Sequence, residues 1–132
     1  MKVEKKICVI DDDEIYQMIM KRVIGKADVF AKRQSFCNAQ DALESFENLA
    51  HSLPDLILLD INMPGIDGWQ FIEEMREKRS GFEKETRIFI VTSSIAHSDY
   101  TKAKSYPEVC GFLSKPVDVA QIVNIARKLE EE

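Results

Sequence analysis

Four short apolar runs in this chain each end on residues able to do chemistry: Asp11-Asp12, Asp60, Thr92 and Lys115. The runs are Ile7-Cys8-Val9-Ile10, Leu56-Ile57-Leu58-Leu59, Ile88-Phe89-Ile90-Val91 and Gly111-Phe112-Leu113-Ser114, and they read as strands. If these are neighbouring parallel strands, their carboxyl ends share one rim, where acids, a hydroxyl and an amine converge. Two carboxylates ~4 Å apart repel by about 4 kcal/mol at an effective dielectric of about 20. Without compensation, one of them is forced to keep its proton. A hard divalent cation removes that conflict, and Mg²⁺ suits a site of a few carboxylates, a backbone carbonyl and water. The same cation would neutralise the oxygens of a phosphoryl group carried by one of the acids. Lys115 adds a fixed positive charge, and the Thr92 hydroxyl adds a donor for another phosphoryl oxygen. Asp60 is the natural acceptor because it ends the most apolar, hence most central, run.

Each of these residues has a plainer use when taken singly. Asp11, Asp12 and Asp13 are a run of acids that a helix dipole favours, and for Asp13 capping is the preferred reading. Asp60 precedes the turn residues Pro64-Gly65, Thr92 sits with Ser93 and Ser94 where a helix cap is expected, and Lys115 precedes Pro116. Four such residues at four strand ends make coincidence a poor explanation. Nothing else competes: there is no GxxxxGK[ST] loop and no GxGxxG fingerprint. His51 and His97 are isolated from any Cys or carboxylate at ligand spacing and read as surface residues.

The elements that must position this chemistry follow from periodicity. Strand-like runs alternate with segments of helical period, the pattern of a parallel sheet covered by helices on both faces. The first helix spans Glu14 to about Gly25, with Ile15, Met18, Ile19, Arg22 and Val23 at helical spacing; Tyr16 and Met20 are candidates for a docking face, with core packing the commoner use. Val29 to Phe36 alternates apolar and polar residues, so it reads as an outer strand with one wet face. Asn38 caps a second helix whose buried stripe is Ala42, Leu43, Phe46 and Leu49. A third helix starts near Asp67-Gly68 and buries Trp69, Phe71, Ile72 and Met75. The fourth, from about Ser98 to Tyr106, is the weakest, with Tyr100, Ala103 and Tyr106 to bury. Pro116 opens the fifth, which buries Val119, Ile122, Val123, Ala126 and Leu129.

At 132 residues and 45% hydrophobic, with 31% charged, the chain is one α/β domain able to bury a real core. The net charge of −5 argues against a nucleic-acid partner, which needs clustered Lys and Arg. The apolar stretches fall far short of the ~20 residues a membrane span needs, and no signal-peptide segment precedes the first strand. Cys8, Cys37 and Cys110 are widely spaced and odd in number, so they read as small core residues in a reducing cytoplasm.

Four stretches carry a resemblance: Val9-Ile10-Asp11-Asp12-Asp13, Leu58 through Gly68 followed by Trp69, Val91-Thr92-Ser93-Ser94, and Phe112-Leu113-Ser114-Lys115-Pro116. Together and in order they resemble the receiver domain of two-component response regulators. The resemblance implies a flavodoxin-like (βα)₅ three-layer sandwich with strand order 2-1-3-4-5. One receiver domain is expected over 1–132, its core at about 5–130, with no output domain after the fifth helix in this sequence, either as a stand-alone regulator or as a piece of a longer protein. It implies Asp60 as phosphoacceptor and Asp11, Asp12, Asp60 and the Asn62 backbone carbonyl as Mg²⁺ ligands. Thr92 and Lys115 would bind the phosphoryl group, Phe112 would be the aromatic switch residue, and the Lys115-Pro116 peptide would be cis. Asn62 and Ser94 occupy positions that tune dephosphorylation in the family.

The implied function is a cytoplasmic phosphorelay switch rather than an enzyme. Its donor would be a sensor histidine kinase or a histidine phosphotransfer protein. Its output would be a protein target reading the surface around the fourth helix, fifth strand and fifth helix, with a phosphorylation-dependent homodimer left open. One departure stands out: Glu108-Val109 replace a small Gly-Ala pair usual at the end of the fourth helix. The rivals are a pseudo-receiver that ignores phosphate and an aspartate-nucleophile phosphatase, which needs a second acid where Asn62 stands. A flavin-binding relative would need a Ser/Thr/Gly phosphate loop where the acids lie.

Overall fold

The run Leu56–Leu59 forms the middle strand, β3, of a five-stranded parallel sheet in the computed structural model, which describes residues 3–93 and 97–131. All four of its side chains are buried because helices cover both faces of the sheet. The other strands are β1 (Val3–Ile10), β2 (Phe30–Phe36), β4 (Arg87–Thr92) and β5 (Val109–Ser114). The helices are α1 (Glu14–Ala27), α2 (Ala39–Phe46), α3 (Gly68–Lys78), α4 (His97–Ala103) and α5 (Val119–Glu130), with a 3₁₀ turn at Phe82–Lys84. Strand order is β2-β1-β3-β4-β5, the (βα)₅ flavodoxin-like architecture expected from the sequence.

The two-residue period of the strands divides the core into two layers. Ile7, Val9, Leu56 and Leu58 face α1 and α5, where they meet Tyr16, Met20, Ile24, Ile122 and Leu129. Cys8, Ile10, Ile57, Leu59, Ile88 and Ile90 face the other way, onto Leu43, Phe46, Phe71, Ile72 and Met75. Register fixes the rim: Ile10 stands beside Leu59 on one side and Phe36 on the other, and Leu59 beside Ile90.

Local chemistry sets the helix boundaries. Asp13 caps α1 by accepting from the Ile15 and Tyr16 amides at 2.9 and 3.1 Å. Asp67 and Gln70 form a capping box on α3, and Asp118 and Gln121 form another on α5. The fifth helix therefore begins at Val119, not at Pro116. Arg79 is buried beyond the end of α3 and donates to the carbonyls of Phe46, Asn48 and His51, tying the end of α2 and the loop after it to the end of α3.

Several expected burials are corrected. The inward stripe of α1 is Tyr16, Met20 and Ile24, whereas Ile15, Met18 and Ile19 are 71%, 60% and 42% exposed. Both sets have helical spacing, so periodicity alone did not choose between them; Tyr16 and Met20 form no docking face. Leu49 is exposed because α2 ends at Phe46. Tyr100 is half exposed, while Tyr106 is buried beyond the end of α4. Ile125 joins the buried side of α5. Only Cys8 is a core cysteine; Cys37 and Cys110 are exposed.

Glu108-Val109 do not end α4 but lead into β5. The buried Glu108 carboxylate receives two hydrogen bonds from Arg76 of α3, at 2.5 and 2.9 Å. Arg76 also donates to the Ser105 carbonyl and lies over the Tyr106 ring, whose hydroxyl donates to Glu73. The Arg76 hydrogen bonds hold the Glu108 carboxyl below the usual carboxylate range. Among the described residues no helix is long and apolar enough to cross a membrane.

The two faces of α1 predict opposite outcomes for neighbouring methionines. Met20→Ala should destabilise the protein by about 2–5 kcal/mol and Met18→Ala by about 0.5 kcal/mol or less, in urea unfolding at equal protein concentration. Equal losses would contradict the assignment of the inward face.

Candidate functional site

Asp11 follows β1 and Asp60 follows β3, and these strands are hydrogen-bonded neighbours at the point where chain order reverses, β1 leading out to β2 and the chain returning to β3. The Asp60 amide donates to the Ile10 carbonyl at 3.0 Å and the Asp11 amide to the Phe36 carbonyl at 3.1 Å, so sheet bonding continues into the acids themselves. One carboxylate oxygen from each of Asp11, Asp12 and Asp60 lies within 4.8 Å of the others. Asp11 and Asp60 are buried and Asp12 is exposed, which leaves the cluster open on one side.

Backbone amides orient the two buried acids. The Asp13 amide donates to Asp11 Oδ1 at 2.9 Å, and the Asn62 amide to Asp60 Oδ1 at 3.1 Å. Their other oxygens face Lys115, whose ammonium is 2.6 Å from Asp11 Oδ2 and 3.6 Å from Asp60 Oδ2. Burial, and then the charge of Asp11, raise the Asp60 pKa above its usual value despite the Asn62 amide and Lys115. Lys115 is burdened by burial, but Asp11 above all, and Asp60 after it, hold its pKa above the usual lysine range.

Lys115 is placed by β5 and by the cis Lys115–Pro116 peptide, with its amide donating to the Thr92 carbonyl at 3.0 Å. Thr92 ends β4 with its side chain buried, and its hydroxyl accepts a long hydrogen bond from the Asn62 side chain at 3.4 Å. Asn62 itself is exposed at the mouth of the cluster. Phe112 pairs in register with Ile90, two residues before the Thr92 level, and packs against Tyr100 of α4 at 4.7 Å between ring centroids. The sheet thus gathers Asp11, Asp12, Asp60 and Lys115 in one cluster with Asn62 and Thr92 beside it, and sets Phe112 apart against α4. Ser94 and the His97 side chain lie outside the described residues; His51 is exposed.

Three residues support the site in roles that the sequence did not assign to them. The Gln17 amide donates to the carbonyls of Val9, Asp11 and Phe36 at 3.0–3.3 Å, pinning the acid-bearing turn to the sheet. Its only sequence signal is a polar residue on the inward face of α1, invisible while the wrong face was preferred. Gly68 opens α3 against the acceptor turn: a Cβ there would stand 2.8 Å from the Asp60 carbonyl oxygen. Tyr16 presents its ring to Lys115 at 4.5 Å.

The donor set fits a hard cation. It consists of oxygen atoms alone, it includes two buried carboxylates that repel each other, and its open side would leave room for water. Asp11 and Asp12, with Asp60 and the neighbouring Asn62 carbonyl, are the residues that would hold Mg²⁺.

Known proteins carry the same arrangement of elements. The chain is 34% identical over 92 residues to the response regulator Rre1 of Synechocystis, covering 69% of this chain and 38% of that protein. It is 25% identical over 124 residues to sporulation initiation phosphotransferase F of Bacillus subtilis, covering 94% and 92% of the two chains. A two-component response regulator from Cytophaga hutchinsonii superposes over 100% of both chains with a TM-score of 0.90 at 27% identity. The chain therefore spans well under half of some relatives and nearly all of others. Residues 7–127 match the family described as the response regulator receiver domain, and with that span, this sheet order and these neighbours, the chain belongs to the response regulator receiver domain family.

Proposed function

We propose that this receiver domain is a phosphoacceptor switch in which Asp60 takes a phosphoryl group from a histidine of a sensor kinase or phosphotransfer protein. The observation that carries the reading is the cluster of three carboxylates within 4.8 Å, with the Lys115 ammonium at 2.6 and 3.6 Å from two of them. A carboxylate oxygen of Asp60 attacks phosphorus, the phosphorus–nitrogen bond breaks, and its electron pair leaves with the imidazole. Bound Mg²⁺ would supply charge neutralisation for the phosphoryl oxygens. Asp11 and Asp12 would hold that ion together with Asp60 and the Asn62 carbonyl. Lys115 binds one phosphoryl oxygen, and the Thr92 hydroxyl donates to another.

The product carries close to two negative charges where one stood. Thr92, drawn toward them, leaves space beside β4 and β5, and Phe112 moves with it. Its contact with Tyr100 passes the change to α4, a helix of seven residues with little buried surface. The surface of α4, β5 and α5 is then the face a downstream protein reads. Carrying a 1:99 equilibrium to 99:1 takes about 5.5 kcal/mol; charge-assisted hydrogen bonds from Lys115 and Thr92, at about 1.5–3 kcal/mol each, supply much of it. The exposed Ile15, Met18 and Ile19 of α1, next to the acids, form an apolar face on which the donor docks. On this reading the protein works in the cytoplasm, in contact with the kinase's cytoplasmic part.

The acceptor assignment predicts that Asp60→Asn abolishes labelling by acetyl phosphate in Mg²⁺, read as a mass increase on the intact protein. Labelling of the mutant to the parent's level would contradict it, and a parent that takes up no phosphate would favour the phosphate-independent module. The raised Asp60 pKa makes a separate prediction for the metal-free protein. Below the ordinary carboxylate value of 3.8 folded and unfolded states both carry the proton, so the site costs nothing; as pH rises through the higher folded-state pKa, ionised Asp60 increasingly opposes folding. In EDTA at pH 7, Asp60→Asn should therefore raise the urea midpoint, with the gain shrinking as pH falls toward 3.8. A lower midpoint at pH 7 would show that the acid cluster is not under electrostatic tension.

A further inference from the structure

Lysine is a flexible tether for a charge that must act at one point. Its ammonium is a compact, strongly hydrated cation on a four-carbon stem with many rotamers. In this structure the Lys115 ammonium lies nearer to Asp11 than to Asp60, at 2.6 against 3.6 Å. Left to the carboxylates alone it would follow their charge, and that charge changes whenever a cation binds or Asp60 is modified. Its third partner among the described residues is the Tyr16 ring, 4.5 Å from the ammonium to the centroid. A ring face attracts a cation through its quadrupole, most strongly where both are withdrawn from water, and this attraction does not depend on the state of the acids.

Packing alone does not explain a tyrosine here. The side chain is buried among Met20, Ile24, Val117 and Ile122, a setting that would suit Phe or Leu. Its hydroxyl lies toward the Val117 backbone without a hydrogen bond of good geometry, and a buried hydroxyl so placed weakens the fold rather than strengthening it. Burial, then the negative charge of Asp11 and of Asp60, push the phenol up to about 12, so the ring stays neutral at any physiological pH. What remains useful is the aromatic face turned to Lys115.

We propose that Tyr16 is a positioning residue for Lys115, its ring holding the ammonium over the acceptor carboxylate and aimed at the phosphoryl oxygens. This inference rests on the phosphoacceptor reading above. The ring, not the hydroxyl, is the working part, so Phe should replace Tyr16 and Leu should not. Loss of the ring leaves the lysine free to retreat toward Asp11 or solvent. Affinity for a phosphoryl group at Asp60 then falls, while the three carboxylates keep their own affinity for Mg²⁺.

Calorimetric titration of the full chain separates these effects, with Mg²⁺ alone and then with beryllofluoride at saturating Mg²⁺. Tyr16→Phe should hold both affinities within about twofold of the parent, whereas Tyr16→Leu should weaken beryllofluoride roughly tenfold and change Mg²⁺ binding by about threefold at most. Beryllofluoride binding by Tyr16→Leu at the parent's affinity, or equal losses for both ligands, would overturn the inference. A parent that binds no beryllofluoride defeats the phosphoacceptor reading and this inference with it. A readout needing neither ligand nor mutant is the Lys115 ε-methylene proton shift in the metal-free protein. The ring face should move it upfield of the usual lysine range, and an ordinary shift would overturn the contact itself.

Discussion

Two adjacent strands of a parallel sheet stand ~4.8 Å apart, and here both end in aspartate. The spacing is not negotiable, because β1 and β3 are paired in register up to Ile10 and Leu59 and the Asp60 amide still bonds to the Ile10 carbonyl. The fold therefore forces two buried carboxylates together, and Asp12 adds a third from the exposed side. Much else at this rim answers that constraint. Lys115 leans between the two buried acids, the amides of Asp13 and Asn62 each bind one of their oxygens, and Gln17 ties the turn down. Lysine offsets part of the repulsion, but burial first, and then the charge of Asp11, still hold the Asp60 pKa above its usual value. A site in that condition suits a divalent cation, and under the proposed role it is sensitive to any group that alters the charge on Asp60.

The remainder of the molecule divides into parts that resist that response and parts that yield to it. The core faces of β1, β3 and β4 and the helices α2 and α3 are densely apolar, and Gly68 lets α3 begin directly against the acceptor turn. Arg76 and Glu108, with Tyr106 between Trp69 and Arg76, clasp α3 to the loop that leads into β5. This clasp holds the beginning of β5, whereas Phe112 and Lys115 lie toward its other end. Helix α4 is short, and among its described residues Tyr100 is half exposed and Ala103 partly buried against the core. Under the proposed role it is the element with least to lose by shifting.

Strand ends were legible because the sequence states them twice, once as an apolar run and once as the polar residue that breaks it. Asp11, Asp60, Thr92 and Lys115 all lie where that pattern puts them. The α1 face was not legible: Ile15, Met18 and Ile19 compete with Tyr16, Met20 and Ile24 at the same period, and only tertiary packing decides. Leu49 misled because it falls beyond the end of α2, a boundary that propensity places poorly; Tyr100 lies inside α4 but on a face that packing leaves half exposed. Residues acting at a distance in sequence, such as the Arg76–Glu108 pair, the Gln17 hold on three carbonyls and the Tyr16 ring over Lys115, leave no local periodic trace.

The proposed switch depends on a shared cation site built from the carboxylates of Asp11, Asp12 and Asp60. Paramagnetic Mn²⁺, added in small amounts to isotope-labelled protein, broadens the amide resonances nearest the bound ion and so maps that site directly. The account predicts that Asp11, Asp12, Asp13, Asp60, Ile61 and Asn62 disappear first, with Lys115 following. Broadening that begins on the acidic face of α3, at Glu73, Glu74 and Glu77, or that spreads evenly over the surface, would contradict it.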